Sequence, residues 1–118
     1  HTFLGRTLKK GFFRDSISRS YYSNFTSARS LLALKGVDSA KHSGVISLFN
    51  RHFIKAQIVD KSCSKILARA KIYRERGDYG DFALFSKEDA EEQIKNAEIF
   101  LGEIKKYLDI IMKNSTEE

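Results

Sequence analysis

"RDSISRSYYSNFTSARSLLALKG", residues 14–36, places Ile17, Tyr21, Phe25, Ala28 and Leu32 at steps of three and four. Those intervals line one face of a helix turning about 100° per residue, and Tyr22 and Leu31 widen the apolar stripe. Gly36 then ends it, because glycine enters the left-handed conformation without a Cβ penalty. A helix with one broad apolar face is stable only when other elements cover that face.

The rest of the chain supplies them. Upstream, "HTFLGRTLKKG" (1–11) carries Leu4 and Leu8 before Gly11 and reads as the tail of a separate helix closed by that glycine. Downstream, a short polar connection (37–41) precedes the stripe Val45, Leu48, Phe49, His52, Phe53 and Ala56, with a helix start near Ser43. Asp60 or Ser62 caps a further helix running to about Tyr79, and "GDYGDFALFS" (77–86) then forms a turn and a partly apolar loop. Ser86 and Asp89 have capping-box spacing, and acidic residues crowd the first turn that follows, where the helix dipole favours them.

In that last helix Ala90, Ile94, Ala97, Leu101, Ile104, Leu108 and Ile111 alternate steps of four and three, a seam that wants a partner along its length. Phe100 and Tyr107 sit beside the seam, so the helix has more apolar width than one neighbour covers, and a homodimer is expected. The predicted fold is all-α: an antiparallel up-and-down bundle of four main helices plus an N-terminal helix remnant, in a single domain over 1–118.

Composition narrows the function classes. The 118 residues are 42% hydrophobic and 31% charged, which suits a packed helical protein and excludes a disordered or collagen-like one. No proline forces a long helix to break. Cys63 is the single cysteine, so an internal disulfide and a multi-cysteine zinc site are ruled out. The three histidines have no metal-site spacing with acids, and neither a glycine-rich phosphate loop nor a serine triad occurs. No metal or cofactor is therefore expected. No apolar run reaches the roughly 18 residues of a membrane span and no signal peptide is evident, so the expected setting is cytoplasmic. The net charge of +6 is compatible with an anionic partner, but acids are interspersed with the bases, so charge alone favours a mixed, solvated surface.

One charge is out of place. On the wheel of the helix after Ser62, Cys63, Ile66, Leu67 and Ala70 lie within about 50° of a common axis, and Arg74 falls inside the same arc. Arg69 and Arg76 lie on the opposite flank, facing solvent. A guanidinium cannot shed its charge, and burying it alone costs several kcal/mol, so something must answer it. Asp78 at i+4 is near enough for an ion pair, while Gly77 leaves room for a ligand or another chain. A structural ion pair and a phosphate-holding arginine both satisfy this. Of the adjacent Tyr21 and Tyr22, one faces the core and the other its edge, within reach of a cleft. Lys41 and His42 precede a helix start, where N–H groups attract anions as well as local caps. His52, on an apolar stripe, reads as a hydrogen-bonded core histidine.

The order and spacing of "SRSYYSNFTSARSLLALKG" (18–36), "KHSGVISLFNRHFIK" (41–55), "RERGDYGDF" (74–82) and the long closing helix resemble the HEPN domain, specifically its small stand-alone group. The likeness runs from about Phe12 to Asp109. It implies an antiparallel helical bundle, usually dimeric, often encoded beside a minimal nucleotidyltransferase of the MNT type. Many such proteins are ribonuclease toxins of toxin–antitoxin pairs, with an arginine that steadies phosphate and a histidine four to six residues later that helps the ribose 2′ hydroxyl attack. Arg74 matches the arginine. Five residues on stands Tyr79, and no histidine follows His52. A tyrosine of ordinary pKa, near 10, is a poor general base at neutral pH.

The resemblance and the residues together lead to a nucleotide- or RNA-binding protein acting with a nucleotidyltransferase. Its catalytic set would be Arg74, Asp78 and Tyr79, and its binding set Arg74, Tyr22, Lys41 and His42. The alternatives are a metal-independent ribonuclease toxin whose active site lacks the usual histidine, and a structural interaction subunit without catalysis.

Overall fold

The computed structural model describes residues 3–78 and 85–116, with side chains over 12–76 and 85–114. Among the described residues there are four α-helices and no strand: α1 (Phe3–Leu34), α2 (His42–Phe49), α3 (Ser62–Asp78) and α4 (Lys87–Thr116). They form the all-α helical bundle expected from the periodicity. α1 packs chiefly on α4 and next on α3, while α2 bridges α1 and α3.

The stripe read from residues 14–36 is the spine of the core. Ile17, Tyr21, Phe25, Ala28, Leu31 and Leu32 are all buried, whereas Tyr22 stands outside. Facing them are Val45 and Phe49 of α2, Phe53 just beyond it, Leu67 and Ala70 of α3, and Phe100 and Ile104 of α4. Phe49 is the hub, its ring 5.4 Å from Phe53 and 5.5 Å from Phe100. A smaller cluster of Ile17, Tyr73, Phe85 and Ala90 lies where α1, α3 and the start of α4 converge.

The front segment is helical, as expected, but it is no separate remnant, because α1 runs unbroken through Gly11 for 32 residues. A glycine inside a helix costs about 1 kcal/mol relative to alanine, too little to end it without a terminating hydrogen-bond pattern. That pattern occurs at Gly36 (φ 73°), where the Val37 N–H donates to the Leu32 carbonyl and the Gly36 N–H to that of Ala33. These are the paired bonds of a Schellman motif. The segment after α2 ends in the same way. Asn50–Ile54 continues as a π-helical turn, and Gln57 takes the left-handed position at φ 58° while the Ile58 N–H donates to the Phe53 carbonyl.

Both predicted starts are present. Asp60 Oδ2 accepts from the Ser62 N–H at 2.9 Å. In the capping box, the Ser86 N–H donates to Asp89 at 3.0 Å and the Asp89 N–H to Ser86 at 3.1 Å. The seam of α4 is rotated from its expected position. Ala90, Ala97 and Ile104 are buried as read, but the intervening positions are filled by Gln93 and Phe100, leaving Ile94 and Leu101 about two-fifths exposed. Residues 100 and 101 are one step, about 100°, apart. The larger ring takes the interior because burying it removes more apolar surface from water.

Candidate functional site

Arg74 lies on the edge of the α3 stripe, half-buried, and its side chain crosses to α1. Nη1 donates to Ser18 Oγ at 3.3 Å and Nη2 to the Tyr22 hydroxyl at 3.4 Å. Its central carbon stands 5.8 Å from the centre of the Tyr21 ring and 5.5 Å from that of Tyr22. Two aromatic faces and two hydroxyls thus hold the guanidinium, and cation–π attraction supports it where water is partly excluded. The hydroxyls are neutral, so what these two bonds supply is orientation.

The two tyrosines are adjacent in sequence and differ in role. Tyr21 is buried in the core, and Tyr22 is 54% exposed. Their rings meet edge to face, with centroids 5.4 Å apart. Tyr21 also reaches α2, where its hydroxyl bonds the His42 imidazole and its ring lies 5.1 Å from it. Phe25 covers the same imidazole at 4.8 Å. His42 is solvent-exposed at the first position of α2 but oriented by two rings. Gly44 permits this, since a Cβ there would come within 2.8 Å of Ser39 Cβ and push the preceding loop off the helix start.

A cavity of about 290 Å³ opens beside Arg74, lined by Arg14, Asp15, Ile17, Ser18, Tyr73 and Phe85. Ile17, Tyr73 and Phe85 make its floor, and the charged and hydroxyl groups its walls. Tyr73 is clasped from behind. Its hydroxyl donates to Asp89 at 3.0 Å, and Arg69, paired with Glu92 of α4, reaches it at 3.5 Å. Burial, reinforced by the bond to Asp89, pushes the Tyr73 hydroxyl's pKa up. Burial alone would raise the Asp89 carboxyl, yet the bonds from the Ser86 N–H and the Tyr73 hydroxyl outweigh it and hold that carboxyl below its usual range.

Of the residues singled out from sequence, Arg74, Tyr22 and His42 converge through Tyr21. Lys41 is exposed and next to His42 in sequence. Tyr79 lies outside the described residues, and so does the side chain of Asp78, the last residue of α3. Arg69 and Arg76 are exposed as expected, although Arg76 stacks 5.1 Å over the Tyr73 ring. His52 is half-buried. Cys63 is a buried core thiol whose pKa burial pushes up to about 12, so it is not a nucleophile at neutral pH. Sequence reasoning missed Arg14 and Ser18. Their signal was present, since 14, 18 and 22 recur every four residues along the flank of the Ile17–Tyr21–Phe25 stripe.

The HEPN domain profile matches residues 5–107. A UPF0332 protein of Thermotoga maritima is 37% identical over 102 residues, covering 86% of this chain and 77% of that protein. Two Methanocaldococcus jannaschii proteins are comparably similar. "Putative toxin MJ0142" is 38% identical over 87% of this chain and 69% of its own length, and "Putative toxin MJ0605" is 34% identical over 85% and 74%. No solved structure matches the chain significantly. With a helical bundle, a profile match over most of its length and relatives of this similarity, the chain belongs to the HEPN domain family.

Proposed function

We propose that this is a nucleotide- or RNA-binding protein of a toxin–antitoxin-like pair, whose Arg74 cleft holds a phosphate and which works with an MNT-type nucleotidyltransferase. The observation that carries the reading is the Arg74 guanidinium itself, held by Ser18, Tyr21 and Tyr22 at the rim of a cavity that Arg14 also lines. A preoriented guanidinium binds phosphate through charge-assisted bonds of about 1.5–3 kcal/mol each. The toxin names of the two Methanocaldococcus relatives support the functional setting. Titration of a labelled RNA oligonucleotide tests it. Arg74→Ala should weaken binding by about tenfold or more with the helical signal intact, and unchanged affinity would refute the cleft.

A homodimer is part of this reading. It is supported by the exposed Leu34, Leu101, Ile110 and Met112 on the other half of the bundle. Sedimentation of the purified chain reports it directly.

A second reading, a metal-independent ribonuclease, is favoured by His42. The position after Arg74 where the family carries histidine is Tyr79, but α2 brings an imidazole to Tyr21, the ring on which Arg74 also rests. RNA cleavage in the presence of a chelator, lost in both Arg74→Ala and His42→Ala, would support that reading. An intact substrate after prolonged incubation would exclude it.

A further inference from the structure

Tyr22 has no place in the core, and Arg74, set against its hydroxyl and its ring, leaves much of the side chain open. We propose that its ring is a stacking platform for an unpaired nucleobase, so that the cleft selects single-stranded over duplex nucleic acid. This rests on the phosphate-binding reading of Arg74 and specifies its ligand.

Three observations lead to it. More than half of the Tyr22 surface is open to solvent, although the ring is fixed rather than loose: Tyr21 meets it edge to face at 5.4 Å, and the Arg74 guanidinium lies over it at 5.5 Å. Holding the ring in place lowers the ordering cost of stacking on it. Next, the Tyr22 hydroxyl is 3.4 Å from Nη2 of Arg74, so a phosphate on the guanidinium puts the attached ribose and its base beside the ring. Finally, the cavity that Arg74 also lines offers Arg14, Asp15 and Ser18 to phosphate and sugar hydroxyls, while its two aromatic rings, Tyr73 and Phe85, are buried and packed against their neighbours, so neither presents an open face to a base. The base is therefore directed outward, to Tyr22.

Strand state follows from the same geometry. A base inside a duplex has both faces covered by its neighbours and must be unstacked at a cost of a few kcal/mol before it can meet a protein ring. An unpaired base offers a face freely, and every base has one, so the preference concerns strandedness and not sequence.

The test uses three probes of equal length: a single-stranded RNA, the same strand in a duplex, and an abasic ribose-phosphate strand. Wild type should bind the single strand about tenfold more tightly than either other probe. Tyr22→Leu should lose that advantage and bind the single strand no better than the abasic strand, while Tyr22→Phe, which keeps the ring, should stay within about threefold of wild type. Equal affinity of wild type for single strand and duplex, or an undiminished preference in Tyr22→Leu, overturns the inference. The underlying reading fails separately: Arg74→Ala that binds the abasic strand as well as wild type shows that no phosphate is held there. Because Tyr22 is exposed, both variants should fold, and thermal melting confirms it.

Discussion

The two halves of α1 face different surroundings. Around residues 14–22 the helix borders the polar cavity, where Arg14, Asp15, Ser18 and Arg74 line the walls and Tyr22 stands behind Arg74, bonded to it. About 20 Å further along, at some 1.5 Å per residue, Ser27, Ser30, Leu31 and Leu34 meet Leu101, Ile104, Leu108 and Met112 of α4 in an apolar groove of about 610 Å³. The helix is the same but its partners differ. α3 answers the first half with a guanidinium, and α4 answers the second with leucine, isoleucine and methionine side chains. The contrast teaches that a polar cavity and an apolar groove can share one scaffold helix while remaining separable, because each draws its second wall from a different neighbour.

That separability can be broken or sharpened by experiment. The largest effect should come from Phe100→Ala, which empties the hub beside Phe49 that serves both halves. It should cost about 3–5 kcal/mol of stability, measured by denaturant unfolding, and should lower RNA binding only through unfolding. Next in size, Arg74→Ala should remove about 1.5–3 kcal/mol of RNA binding and leave the sedimentation coefficient unchanged. Its mirror is the pair Leu34→Glu with Met112→Glu in the apolar groove, which should alter sedimentation and not RNA affinity. If either variant changes both readouts, the two halves are coupled.

Smaller effects probe the spine between them. Asn24 of α1 is fully buried, and among the described residues neither its Nδ2 nor its Oδ1 finds a partner. Asn24→Leu should stabilise by about 1 kcal/mol, because an unsatisfied amide leaves the interior. Asp89 sets a pH limit on the polar half. Its folded pKa is depressed, so its stabilising contribution is present above the ordinary carboxylate value and lost as pH falls below about 4. Asp89→Asn should flatten the acid side of the stability profile and loosen the Tyr73 clasp behind the cavity. The smallest change is expected at Gln57, whose left-handed φ suits glycine, and Gln57→Gly should raise stability by about 0.5 kcal/mol, relief of strain being partly offset by glycine's greater unfolded-state freedom, with no effect on either half.

Much of this was legible in the chain. The α1 stripe, the stop at Gly36, the Asp60 start and the Ser86–Asp89 capping box were read correctly because each is a pattern closed within a few residues. The wheel also put Arg74 on the inner arc of α3. The α4 seam was misread at 94 and 101, since Ile94 and Leu101 are as apolar as the interior requires, and the turn that puts Gln93 and Phe100 inward brings the larger Phe100 ring against Phe49 of another helix. Gly11 looked like a stop because glycine is permitted in that role, but permission is not a hydrogen bond.

By itself, then, the order of residues determined where helices begin and end, which faces are apolar and that one arginine lies among them, since those properties depend on neighbours within about one turn. What surrounds that arginine was settled only when the helices came together. Ser18 and Tyr22 are 56 and 52 positions away from Arg74, and His42 is 21 from Tyr21. Contacts across such separations depend on how the helices rotate and pair, and that is decided by the shared burial of Phe49, Phe53 and Phe100 rather than by any local pattern.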